Sequence, residues 1–296
     1  MKKWIFLIIL SSFLLIISSF GLFMAIKANK PIATIKDKET DYSSYELETP
    51  TEGSPEDYNV KDNVAYTLYK IKHIDSFKVI TTGSSTAAGF VKQEVLNTRT
   101  VIGEEAMVTT ITAGVINNAT ERFFIGDNQN VLYRTATSVD KSSLTAVFPT
   151  NKAPKDVTNE QYISDYGWYP YQLTGYIISN DTYLKDPTMK KNDDGTYTLS
   201  LDLDPDGDKA PFWYRREILI NSSSTMVPEF SKIHLNITIN SSWLPIKVNY
   251  EESYKVERIF VISTVTNVTD TFYYDDISFD EEKYDYYNQY RWKMFK

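Results

Sequence analysis

Ile233-His234-Leu235-Asn236-Ile237-Thr238-Ile239-Asn240 alternates apolar and polar residues without a break. Successive side chains of an extended chain point to opposite faces. The stretch therefore predicts a strand with Ile233, Leu235, Ile237 and Ile239 on one side and His234, Asn236, Thr238 and Asn240 on the other. Its neighbours repeat the pattern. Tyr197, Leu199, Leu201 and Leu203 oppose Thr196, Thr198, Ser200 and Asp202, and Leu244, Ile246, Val248 and Tyr250 oppose Lys247, Asn249 and Glu251. One dry face and one wet face is what an antiparallel sheet covered on a single side requires.

Working outward, Phe77-to-Thr82, Val91-to-Ile102, Met107-to-Ala113, Arg122-to-Ile125 and Val131-to-Thr137 are β-branched or aromatic runs parted by Gly83, Gly89, Gly103, Gly114 and Gly126. Short connectors of this kind predict a meander, not βαβ units. A helix precedes them, with Asp62 as its expected N-cap and Val64, Leu68 and Ile71 as its apolar stripe. Within 155–190, Asp156-Val-Thr-Asn-Glu-Gln-Tyr-Ile has helix-start chemistry, and Trp168-Tyr-Pro-Tyr followed by Leu173-to-Ser179 is expected to form one or two short helices. Another is expected from Pro211, a residue suited to the first helical position, through Phe212-to-Ile220. A last strand pair covers Ile259 to Val265 and Thr271 to Tyr274. The fold class is α+β: a large antiparallel sheet with helices on its apolar face.

Composition excludes more than it assigns. With 42% apolar and 14% aromatic residues the chain has material for a core. A net charge of -8 argues against nucleic acid or anionic lipid headgroups as the main partner. The absence of Cys removes disulfides, Cys-ligated zinc, thiol catalysis and acylation through Cys. Two His residues, His73 and His234, make a multi-His metal site or a Ser–His–Asp hydrolase a poor expectation. No cofactor is expected.

The N-terminus sets the compartment. After Met1-Lys2-Lys3, residues Trp4 to Ile26 carry no charge, and these 23 residues suffice to cross a bilayer core of ~30 Å. Lys2 and Lys3 place the leader inside and the bulk of the chain outside, a single-pass protein of the cell membrane. The rival is secretion after cleavage of a signal peptide, although the run exceeds the usual apolar region and no small-x-small site follows it. The expected organisation is an anchor or signal over 1–30, an acidic flexible stalk over 31–58, a single α+β domain over 59–280 and an acidic Tyr-rich tail over 281–296. Eight acids against two Lys in 31–58 are the basis for the stalk.

The exported N-terminus, the lead helix with Asn63-Val-Ala-Tyr-Thr-Leu-Tyr-Lys-Ile, the first strand block, the aromatic stretch 211–220 and the closing strands with Ser253-Tyr254-Lys255-Val256 together resemble the LolA/LprG-like lipoprotein-carrier superfamily. The resemblance spans about residues 60–275 and is one of element pattern. It implies a curved half-barrel plugged by helices, with a hollow for acyl chains of lipids or lipoproteins. The family's membrane-bound members use a lipidated Cys, which this chain lacks. Trp4–Ile26 would replace it and make the protein a fixed binder instead of a shuttle. The lining expected from the alternating faces is Val79, Met107, Ile111, Ile233, Leu235, Ile237 and Val248; the alternative is that these residues form a dry core.

Other motifs are weaker. Asp202-Leu-Asp204-Pro-Asp206-Gly207-Asp208 matches the opening of a Ca²⁺ loop, but Trp213 stands where the closing Glu belongs, and a polar turn is the plainer account. Thr82-Gly-Ser-Ser-Thr-Ala-Ala-Gly lacks a nucleophile elbow. Tyr166, Trp168, Tyr169, Tyr171, Phe212, Trp213 and Tyr214 suit either sugar stacking or a plug for the sheet, the plug being the commoner fate. The sequence thus predicts a non-enzymatic, membrane-anchored binder of an apolar ligand. The alternative is an envelope interaction or sensor module.

Overall fold

The computed structural model describes residues 31, 33–35, 43–114, 117–126, 130–158, 160–162, 167–222, 224–257 and 260–291. The expected membrane segment Trp4–Ile26 lies outside them. No helix among the described residues is long and apolar enough to cross a membrane.

The chain is α+β. Its first half supplies β1 (Ser76–Ala87), β2 (Val91–Ile102), β3 (Glu105–Ala113), β4 (Asn118–Ile125), β5 (Val131–Thr135), the short hairpin β6 (Ser138–Asp140) and β7 (Thr145–Val147), and β8 (Lys155–Val157). The second half supplies β9 (Thr188–Lys191), β10 (Tyr197–Asp202), β11 (Glu229–Ile239), β12 (Pro245–Glu257) and β13 (Val261–Tyr273). Among the described residues the main helices are α1 (Val60–Lys72), α2 (Tyr214–Ser222) and α3 (Glu281–Arg291), with a 3-10 turn at Pro55–Asp57 and helical backbone at 160–162. Eleven strands form one sheet in the order β8-β5-β4-β3-β2-β1-β13-β12-β11-β10-β9. Every pairing in it is antiparallel. The two meanders join where β1 pairs with β13 over ten residues, from Lys78↔Tyr273 to Ala87↔Thr264.

Registered partners across an antiparallel ladder share a face. Val79 thus stands beside Phe272 on β13 and Arg99 on β2, and Leu199, Ile237 and Val248 form a row on β10, β11 and β12. With Val64, Leu68 and Ile71 of α1, the apolar members of these rows belong to one buried core. Asn59 caps α1, its side chain accepting from the Asp62 amide at 2.9 Å, so the cap lies three residues before the expected Asp62. The Asp62 side chain in turn accepts from Asn59.

Three expectations are corrected. First, no regular helix forms over 167–187 among the described residues. Gly167, Pro170 and Gly175 punctuate the stretch, and cross-chain bonds hold it instead: Ile177 N–H donates to Ala210 O at 2.9 Å and Ile178 N–H to Ser44 Oγ at 3.0 Å. Second, residues 43–58 are no free stalk. Tyr45 N–H reaches Ile178 O at 2.9 Å, and Glu46 and Glu56 pair with Lys72 and Lys191 at 3.0 and 2.7 Å. Self-repulsion extends an acidic segment only where no cations answer it. Third, the expected tail contains α3. Asp280 caps it, accepting from Lys283 N–H at 3.1 Å. Helical spacing places Tyr284, Tyr286, Tyr287 and Tyr290 against Met107, Phe123, Ile125 and Leu132. That contact lies on the sheet face opposite α1, so β3 and β4 are covered on both sides.

Candidate functional site

Five of the expected lining residues share one face and are closed to solvent: Val79, Ile233, Leu235, Ile237 and Val248 are 0–2% exposed within the main core. Met107 and Ile111 point the other way. Met107 registers with Phe123 under α3, and Ile111, four residues along the same strand, registers with Ala119. β3 alternates Ala106 and Val108 on one face with Met107 and Ile111 on the other. A strand apolar on both sides gives no clue to which side is which.

The acidic loop does not converge. Asp202 pairs with Lys185 at 2.5 Å and with His234 Nδ1 at 2.6 Å, Asp204 with Lys209 at 2.7 Å, and Asp208 with Arg215 at 3.4 Å. Asp206 accepts from the Asp208 amide at 3.0 Å. Among the described residues no three His, Cys, Asp or Glu side chains gather as a metal site would need. Burial disfavours the charge on Asp202, yet Lys185 and His234 hold it below the usual carboxylate range.

The sequence reading passed over a polar cluster inside the sheet. Continuing the dry face of β12 past Val248 and Tyr250 brings Glu252 and Tyr254 inward. Glu252 is 2% exposed, between Ile233 on β11 and Thr266 on β13. Four rings form a chain nearby, with centroids of Tyr176–Tyr214 at 5.1 Å, Tyr214–Phe230 at 6.1 Å and Phe230–Tyr254 at 5.2 Å. The Glu252 carboxyl is buried beside the Tyr176 and Tyr214 hydroxyls, its Oε2 atom without an aligned hydrogen bond. Burial raises the Glu252 carboxyl to about 8; the Tyr176 hydroxyl opposes the rise and Glu217 adds to it. At neutral pH Glu252 is therefore chiefly a protonated acid, able to donate a hydrogen bond. Tyr254 is pushed up to about 12 by burial and by Glu252.

A second buried group lies farther down the same face. The Tyr250 hydroxyl donates to Asp270 Oδ2 at 3.2 Å, and Arg99 Nη1 donates to Gln172 O at 2.8 Å. The Arg99 guanidinium lies over the Phe77 and Trp168 rings at 5.6 and 5.5 Å, and Trp168 Nε1 donates to Glu217 Oε2 at 2.8 Å. Burial raises Asp270 against the pull of Arg99. Tyr169 and Tyr171 stack on each other at 5.0 Å and Phe212 is fully buried, so these aromatics act as cover for the sheet; Tyr166 lies outside the described residues.

Around Glu252 the inner face changes character. Val95 on β2 and Val268 on β13, both level with Tyr250, and Ala87, Val91, Tyr254 and Val256 beyond Glu252 are half-buried, whereas the α1 end is closed. Gly83 sits among them. A Cβ there would collide with Asn267 O and Val268 Cα, so β1 and β13 approach more closely than any side chain allows. On the opposite face, a polar groove of about 540 Å³ runs along β9–β12, lined by residues including Asn192, Thr198, Ser200, Asn236, Thr238 and Asn249.

No family model matches the chain, and no curated protein does. Among solved structures, a LolA superfamily protein from Nitrosomonas europaea is similar at 12% identity with a TM-score of 0.23, over 73% of this chain and 94% of that one.

Proposed function

We propose that the protein is a non-enzymatic, membrane-held extracytoplasmic binder that takes an apolar acyl chain on the inner face of its sheet. In this reading the sheet curls into a half-barrel. β5 and β10 stand eight places apart, which would be ~38 Å in a flat sheet at ~4.8 Å per strand, yet Val131 and Leu199 belong to one core with α1.

The binding surface is not the closed α1 end but the half-buried stretch on both sides of Glu252, from the level of Tyr250 to the hairpin tips. The observation that carries the proposal is the juxtaposition there of half-buried Val91, Val95, Val256 and Val268 with a buried acid, Glu252, whose neighbours are the Tyr176 and Tyr214 hydroxyls. Each methylene covered gains about 0.8 kcal/mol, and a neutral acid can donate to an ester or acid carbonyl at the head of the chain.

Native mass spectrometry of the full chain, extracted from membranes and stripped of loosely held lipid, tests this. Wild type should retain one lipid that Val268→Trp, filling the surface, loses. Lipid shared by both forms would belong to the anchor and would reject the site.

The polar groove on the opposite face favours a second reading, an envelope interaction or sensor module. Lipid-free protein that captures an envelope partner, with loss of capture in an Asn236→Ala/Asn249→Ala form, would support it over the first.

A further inference from the structure

The turn between β1 and β2 and the turn between β12 and β13 project side by side at one end of the sheet. Ala87 registers with Thr264, and Ala88 N–H donates to Ser263 O at 2.9 Å, so the two hairpins are bonded to each other near their tips. These tips carry exposed apolar residues: Phe90 is 81% exposed, Val261 57% and Phe260 51%. Folding does not explain them. A Cβ on Gly89 would meet nothing within 4 Å, so the first turn stands clear of the domain. Exposed Lys92 and Lys255 flank the tips.

The path of the chain says what lies opposite. Ala33 N–H donates to Ser224 O at 3.0 Å, and Ser224 Oγ donates to Glu257 O at 2.9 Å, at the last residue of β12 before the second tip. The N-terminal segment therefore meets the domain at the hairpin end. Ala33 lies seven positions after Ile26, where the uncharged run stops, and those seven steps reach at most about 24 Å. A bilayer holding Trp4–Ile26 is thereby kept close to Phe90, Phe260 and Val261.

We infer that the paired hairpin tips are a membrane-contact surface, Phe90, Phe260 and Val261 dipping into the outer leaflet of the bilayer that holds the anchor. Phe side chains are among those that interfacial segments bury at the boundary between headgroups and acyl chains. The tether makes the contact intramolecular, so a few side chains suffice where a free protein would need a larger surface. The half-buried surface around Glu252 opens toward the same end, which would let an acyl chain pass from leaflet to sheet without crossing water. This rests on the anchored reading proposed above.

The chain contains no Cys, so single-cysteine labelling reports one position at a time. The full chain carrying Phe90→Cys, Phe260→Cys or Glu104→Cys, labelled with an environment-sensitive fluorophore, is reconstituted in phosphatidylcholine/phosphatidylglycerol vesicles with and without brominated acyl chains. Glu104 lies in the exposed β2–β3 turn at the opposite end of the sheet. Blue-shifted emission quenched by bromolipid at 90 and 260, with neither effect at 104, is the expected result. If the protein floats with the vesicles but 90 and 260 report water as 104 does, the contact is refuted and the anchor stands. If the full chain does not float, anchor and contact fall together.

Discussion

Glu252 occupies a place where a carboxylate is unfavourable, and it responds by keeping its proton. Its pKa in the fold is about 8 against an ordinary 4.5. The folded state therefore binds a proton that the unfolded state releases between those values, and stability falls as pH rises from 4.5 to 8. At pH 7 the penalty is on the order of 3 kcal/mol, and near pH 4 it is gone. Glu252→Gln, isosteric and always neutral, should be stabilised at pH 7 relative to wild type and indistinguishable from it at pH 4, as read by urea unfolding across that range. A constant difference at both pH values would contradict the assignment. This residue was legible in principle: the period of two that sent Ile246, Val248 and Tyr250 inward also sends Glu252 inward. A charged letter interrupts an apolar pattern, however, and no local rule says whether a strand ends there or buries an acid. The acidic loop misleads the other way. Four Asp at alternate positions look like a cation site, but Lys209 follows them directly and the fold brings Lys185, Arg215 and His234 against them.

At the scale of elements, β10, β11 and β12 appear where their alternation predicts them, because one face is dry and the other wet along their full length. The two errors of face, Met107 and Ile111, come from a strand covered twice, and the element that covers it is α3. Acid-rich and Tyr-rich, Glu281–Arg291 has little apolar signature, yet Tyr287 is fully buried and stacks on Phe123 at 5.3 Å. The tyrosine rings supply the apolar area while their hydroxyls find partners, Tyr286 donating to Lys152 O at 2.7 Å and Tyr284 to Glu105 Oε2 at 3.1 Å. Beneath α3, buried Glu121 holds Arg134 at 2.7 Å and Lys283 of the helix at 2.9 Å. Tyr287→Ala should cost about 3–5 kcal/mol, the range for removing a buried aromatic. Urea denaturation checks it. A loss near zero would mean that α3 merely rests on the sheet.

For the whole molecule, the sequence showed two blocks of strands but not that β1 and β13 join them into one sheet. That pairing closes nearly two hundred residues of chain, and no periodicity records such a partner. The consequence is a long inner face treated differently along its length. It is sealed by α1 and by residues 167–184 at one end and half-open toward the hairpin tips at the other. The central claim is that an acyl chain lies on that half-open part.

The most direct test is photocrosslinking of the full chain in vesicles containing a phospholipid with a diazirine on one acyl chain, followed by mapping of the labelled peptides. The account predicts labels on the inner-face residues Val95, Tyr254, Val256 and Val268, reduced in Val268→Trp, in addition to labels within Trp4–Ile26. Labels confined to Trp4–Ile26, with none on the inner face of β2, β12 and β13, would contradict it.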